Sequence, residues 1–240
     1  VGSDVMGALA GAEAPMVFET DGNGVPYVYL NQDDNNQIIS TPVPAPSTGT
    51  TWSLEGSCAR ESRLLVTQRL ATFSGGSYCY VTTGDKIRWY DGAVAVESAS
   101  TLNTLLGIGG TDQFEWRCQQ TGTSMDIDVR VPGGSWTVAL AAGTVTAADP
   151  TGQVLYVGST STFFGFEGRQ YWVRMRDGAL DGSPVSAFFD PAGFPAGSRA
   201  SADTYTDVVG SVWTLSRADL SGDTTRPVLL GDTSALYKPI

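Results

Sequence analysis

Histidine is absent from the chain, and every catalytic or binding unit that needs an imidazole goes with it: Ser-His-Asp and Cys-His nucleophile systems, His-bearing zinc sites and histidine pH switches. Cations are scarce, 14 Lys+Arg against 25 Asp+Glu, for a formal net charge of −11 over 240 residues. That surplus of acid argues against binding along a phosphate backbone, which needs a basic face to displace counterions, and nucleic acid is not expected as a partner. The three cysteines, Cys58, Cys79 and Cys118, are odd in number and lack CxxC spacing, which fits neither a disulfide framework nor a zinc motif. Each reads as a small buried apolar residue, with Cys58–Cys79 as one optional bridge. No apolar run approaches the length of a membrane-spanning helix. The first cation is Arg60, so a basic signal-peptide start is missing, and the expectation is a soluble chain not exported by the Sec route.

What the chain has in quantity is glycine, at 29 residues, and a period of two. In 125–131 (MDIDVRV) Met125, Ile127, Val129 and Val131 alternate with Asp126, Asp128 and Arg130, a strand with one wet face. The runs 114–120 (FEWRCQQ) and 135–140 (SWTVAL) alternate likewise, and Pro132-Gly133-Gly134 turns the chain between 125–131 and 135–140. Asp91-Gly92 joins 86–90 (KIRWY) to 93–97 (AVAVE) as a second hairpin. Further strands are predicted near 25–30, 52–55, 63–69, 78–83, 153–158, 169–176, 185–189 and 212–215, with no amphipathic helix of length. The fold class is therefore all-β, a two-sheet antiparallel sandwich or jelly roll. Trp52, Trp89, Trp116, Trp136 and Trp213 fall on apolar strand faces and are assigned to its core.

The ends read differently. Residues 1–59 hold seven acids and no base, and residues 1–24 are rich in Gly and Ala without a period. This segment is expected to be an extended arm needing a partner surface, as is 221–240, which leaves 25–220 as the jelly-roll domain. The stretch 41–51 (TPVPAPSTGTT) has three prolines in five positions and reads as a connector, not a central strand.

One segment carries a family pattern. Residues 168–220 contain Gly168, Arg169, Tyr171, Arg176, Asp177 and Gly178, then Phe189, Asp190, Pro195, Ala196 and Gly197, then Asp207, Gly210, Trp213 and Thr214. This order resembles the closing part of concanavalin A-like, laminin-G-type jelly rolls in virion proteins of tailed phages infecting actinobacteria. GQVLYVGSTST (152–162) looks like the strand before that block, and 12 Arg against 2 Lys suit a GC-rich genome. The resemblance implies a concanavalin A-like sandwich with private arms, located in the virion. It implies a non-enzymatic structural component, a minor tail protein favoured over capsid decoration or head fibre. Its partners would be other virion subunits held through the arms. A homo-oligomer, as a trimer or around another axis, would multiply weak contacts by avidity. The alternative is an adhesin recognising host cell-envelope glycans.

Retaining glucanases of this architecture set carboxylates on alternate residues of one strand, about 5–5.5 Å apart. The nearest run offers Asp126 and Asp128, but Ser124 and Arg130 stand where glutamates are required, so no catalytic residue is assigned and the pair reads as a solvated face near Arg130. Asp21-Gly22-Asn23-Gly24 and the 31–36 loop (NQDDNN) could offer oxygens to calcium, yet turn chemistry explains both, and no metal site or cofactor is assigned. Phe163, Phe164 and Phe166 lie between two strands and Trp172 is flanked by Arg174. These four are the candidate glycan- or partner-binding residues, with a plug over the sandwich end or a subunit contact as the plainer reading of the phenylalanines.

Overall fold

The computed structural model describes residues 16–31, 37–43, 49–60, 67–109, 112–158, 165–180, 182–194, 197–199 and 203–217. Within them, strands numbered β1 to β17 in chain order form two antiparallel sheets. The larger runs β11 (Thr137–Thr144), β10 (Ser124–Arg130), β9 (Phe114–Thr121), β4 (Thr51–Arg60), β13 (Glu167–Arg176), β2 (Pro26–Asn31), β1 (Met16–Thr20) and β15 (Gly197–Arg199), with β14 (Val185–Phe189) also on β13. The smaller runs β16 (Thr204–Thr206), β17 (Val212–Arg217), β3 (Gln37–Pro42), β12 (Val154–Val157), β5 (Gln68–Phe73), β6 (Tyr78–Val81), β7 (Ile87–Tyr90) and β8 (Ala95–Glu97). The all-β, two-sheet sandwich expected from the period of two is the fold.

The alternation that predicts the strands also builds the core. β10 buries Met125, Ile127 and Val129 and turns Asp126, Asp128 and Arg130 outward, and β7 buries Ile87 and Trp89 while Arg88 and Tyr90 face out. Trp52 meets Trp89 at 5.3 Å and Phe73 at 5.5 Å, closing the space between sheets with rings from both. Trp116 lies directly over Gly56, where an added Cβ would stand 2.7 Å from its Cζ2. At the other end Phe189 packs on Trp213 at 5.3 Å, and Phe18 stacks on Phe194 at 4.5 Å.

Both predicted hairpins form. Gly133 takes φ 74° between β10 and β11, and Gly92 takes φ 97° between β7 and β8, where Asp91 Oδ1 accepts from the amides of Ala93 and Val94. Residues 16–20, placed above in the N-terminal arm, instead form β1, because Phe18 at 1% exposure belongs to the core. β5 lies at 68–73, later than predicted, and β3 is a central strand of the smaller sheet that runs into the proline segment as far as Pro42. The one α-helix among the described residues, α1 (Leu102–Leu106), starts at Thr101, whose side chain accepts from Thr104 N, and stops at left-handed Gly107. Residues 1–15 and the arm at 221–240 lie outside the described residues.

Candidate functional site

The outer face of the smaller sheet carries a groove of about 480 Å³ at its β5–β8 end. Period two places its residues. Cys79 and Val81 of β6 point into the core, so Tyr78 and Tyr80 point out, and β7 contributes Arg88 and Tyr90 to the same face. Register does the rest: Tyr78 pairs with Tyr90, Tyr80 with Arg88, and Arg88 with Glu97 of β8. The ring of Tyr78 stands 5.1 Å from those of both Tyr80 and Tyr90, and Arg69 of β5 lies over Tyr78 at 4.0 Å.

Three charged groups sit beside the rings. Arg88 Nη1 donates to the Tyr80 hydroxyl at 3.0 Å, Arg88 Nε donates to Glu97 Oε2 at 2.9 Å with a second contact from Nη2, and Lys86 Nζ reaches Glu97 Oε1 at 3.4 Å. Burial works to raise the Glu97 carboxyl, but the hydrogen bonds and charges of Arg88 and Lys86 outweigh it and hold the group below its ordinary value. Burial likewise raises the Tyr80 hydroxyl against the pull of Arg88. Thr67, Thr82 and Thr83 complete the rim. Flat rings with a few convergent donors and acceptors are the equipment of a polar-ligand site, the rings covering C–H faces and the polar groups reading hydroxyls.

The sequence-predicted site residues are not brought together. Phe163 and Phe164 lie outside the described residues. Phe166 is fully buried in the core, so its ring can stack on nothing outside the fold. Trp172 lies on the outer face of the larger sheet, half-buried, with Arg174 over its ring at 5.2 Å. A register shift against β4 between Gln170 and Trp172 sets Tyr171 and Trp172 on the same face, next to Tyr27, Tyr29 and Ala59. Tyr27 donates to Glu19 Oε2 at 2.6 Å, and burial, then that bond, pushes its hydroxyl well up.

Elsewhere on that face the charges are paired. Arg174, Glu55, Arg117 and Asp128 occupy one cross-strand row over β13, β4, β9 and β10. Glu55 Oε1 accepts from Arg174 Nε at 2.8 Å and Arg176 Nε at 2.6 Å, and Arg117 Nε donates to Asp128 at 2.9 Å. Burial would raise the Glu55 carboxyl, but those two arginines together hold it below its usual value. Asp128 thus partners Arg117, while Arg130 partners Glu115 and stacks on Trp136 at 4.1 Å. Trp136 is therefore an outer-face residue and not core, its other neighbour being Arg117 at 4.3 Å. Asp126 Oδ1 accepts from Ala142 N at 2.7 Å.

Asp21 Oδ1 accepts from its own turn, Asn23 N at 2.8 Å and Val25 N at 2.9 Å, and the 32–36 loop lies outside the described residues. No group of three or more His, Cys, Asp or Glu that could hold a metal occurs among the described residues. All three cysteines are free and buried, and the partner of Cys79 across the sandwich is Cys118, with sulfurs 3.5 Å apart, in place of the Cys58–Cys79 bridge considered above.

The architecture is a jelly-roll sandwich of two antiparallel sheets, with a groove on the outer face of the smaller one. Solved structures share it: a candidate carbohydrate binding protein from Bacteroides ovatus aligns with a TM-score of 0.53 at 12% identity over 84% of this chain. The enzymatically active domain of tailspike protein 2 from bacteriophage CBA120 aligns with a TM-score of 0.53 at 9% identity over 75% of it. The chain spans 57% of the former and 32% of the latter. These likenesses show the fold. No protein-family model and no curated protein matches the chain.

Proposed function

We propose that the chain is a carbohydrate-binding domain whose ligand lies in the tyrosine groove of the smaller sheet. The observation that carries this reading is the pair Tyr78 and Tyr80 beside Lys86, Arg88 and Glu97, lining a groove of about 480 Å³. Rings alone would mark a packing surface, and charges alone a solvated face. Together they cover and read a sugar. The fold shared with a candidate carbohydrate binding protein supports it.

Binding without hydrolysis is part of the proposal. Glycoside hydrolysis by the common route takes two carboxyl groups, and Glu97 is the one carboxylate among the described groove-lining residues, already engaged by Arg88 and Lys86. The setting proposed is a phage particle, supported by the 168–220 resemblance and by the fold shared with a tailspike domain. Host-envelope glycan is then the ligand, and other virion subunits or further copies of the chain are the partners of its arms.

Titration calorimetry against host cell-wall oligosaccharides tests the reading. Removing one stacking ring, worth about 1–1.5 kcal/mol, should cost roughly tenfold in affinity, so Tyr78→Ala should weaken binding about tenfold, while Trp172→Ala on the other sheet should leave it unchanged. Equal binding by wild type and Tyr78→Ala contradicts the assignment.

A further inference from the structure

We infer that Cys79 and Cys118 form a disulfide between the two sheets when the chain folds in contact with a low-molecular-weight disulfide. The inference is independent of the carbohydrate reading. Its ground is position. Cys79 lies on β6 of the smaller sheet and Cys118 on β9 of the larger, both at 0% exposure, with their sulfurs 3.5 Å apart. β6 has β5 and β7 at its sides and β9 has β4 and β10, so the pair meets in the middle of the core and not at a sheet edge. Cys58 is also buried, but it shares the larger sheet with Cys118 and stands level with Phe114. Leu54, four residues back along β4, is the residue level with Cys118, which sets Cys58 about 13 Å off along the strand.

A disulfide holds its sulfurs at about 2.05 Å, so bonding closes roughly a further 1.5 Å between side chains already in contact. In the folded chain the reduced pair is inert. Burial raises the Cys79 thiol and the contact with Cys118 raises it further, so the attacking thiolate is scarce. The bond is therefore made during folding, while water still reaches the thiols. One thiolate of the pair attacks the small disulfide R–S–S–R, forming a mixed disulfide and expelling RS⁻. The other thiolate attacks the protein sulfur of that mixed disulfide, forming the Cys79–Cys118 bond and expelling a second RS⁻. The two cysteines are oxidised, the small disulfide is reduced, and the two thiol protons end on two RSH. Exchange continues until the native core closes on the pair that meets within it. Such bonds persist outside the reducing cytosol, virion surfaces included, and the proposed phage particle is such a setting. The cross-link joins residues 39 apart and ties the strand bearing Tyr78 and Tyr80 to the larger sheet.

The test refolds the full chain from urea in a mixture of oxidised and reduced glutathione and, in parallel, in excess reductant. The oxidised product should be lighter by two hydrogens in intact mass and offer one thiol in denaturant where the reduced chain offers three. Its non-reducing digest should join the peptides of Cys79 and Cys118 and leave Cys58 free. Constraint of the unfolded chain should raise the urea midpoint by about 1–2 M over that of the reduced chain. Cys58→Ala should form the bond as wild type does, and Cys118→Ala should form none. Three thiols in the oxidised product, a digest joining Cys58 to either partner, or a midpoint below that of the reduced chain overturns the inference. The digest of Cys58→Ala decides it even if Cys118→Ala does not fold: joined peptides uphold the bond and separate ones refute it.

Discussion

Asp207 shows what single residues of the 168–220 pattern do. At 5% exposure it accepts at Oδ2 from Phe188 N at 2.7 Å and Trp213 Nε1 at 3.1 Å, and at Oδ1 from Val209 N and Ser211 N. Gly210, at φ 91°, lets the turn close. The pattern legible in the sequence is thus a folding device tying β14 to the β16–β17 hairpin. Asp207→Ala leaves the buried Trp213 indole N–H and three backbone amides without their acceptor and should cost about 3 kcal/mol in urea unfolding. Gly56→Ala should cost about 1–3 kcal/mol by driving Trp116 from its seat. Glu55 gives a pH dependence with a definite sign. Its folded value is depressed, so its contribution is complete above the unfolded value of about 4.3 and is lost as pH falls through the lower folded value. Urea midpoints should therefore drop below about pH 4.3, and Glu55→Gln should flatten that drop. Burial pushes the Cys58 thiol up to about 12 against the pull of Arg60, and burial with the Cys118 contact raises Cys79. A thiol reagent should find none of the three cysteines in the native chain and all three in denaturant.

Among elements, alternating strands were legible because one face is buried and period two records it. β10 and the two glycine hairpins follow directly from the residues. What escaped were elements fixed by contacts distant in sequence. β1 reads as an aperiodic arm because its strand status depends on β2 and β15 beside it, and on Phe194 beneath Phe18. β3 was obscured by the prolines that follow it, and the β13 bulge, which decides where Trp172 points, exists only in its register with β4. The groove lay within reach: in YCYV the core claims Cys79 and Val81, leaving two tyrosines on the outer face, a surplus that signals a surface with a task. Its pairing with Arg88 and Glu97 needed the register. Phe18→Ala should lower stability by about 3–5 kcal/mol, the cost of a core ring, whereas an arm residue would cost almost nothing.

At the scale of the molecule, the fold separates two outer faces of different make-up. The larger sheet engages its charges in cross-strand ion pairs, Glu55 with Arg174 and Arg176, Arg117 with Asp128, Glu115 with Arg130. The smaller sets Tyr78 and Tyr80 beside Lys86, Arg88 and Glu97 along an open groove at one edge. The proposed function assigns the ligand to the second face, where rings and charges share an open groove. Amide chemical-shift mapping of the labelled chain during titration with host cell-wall oligosaccharides tests that division most directly. The account predicts shifts confined to Tyr78, Tyr80, Lys86, Arg88 and their neighbours. Shifts centred on Trp172 and the larger sheet, or no shifts at saturating ligand, would contradict it.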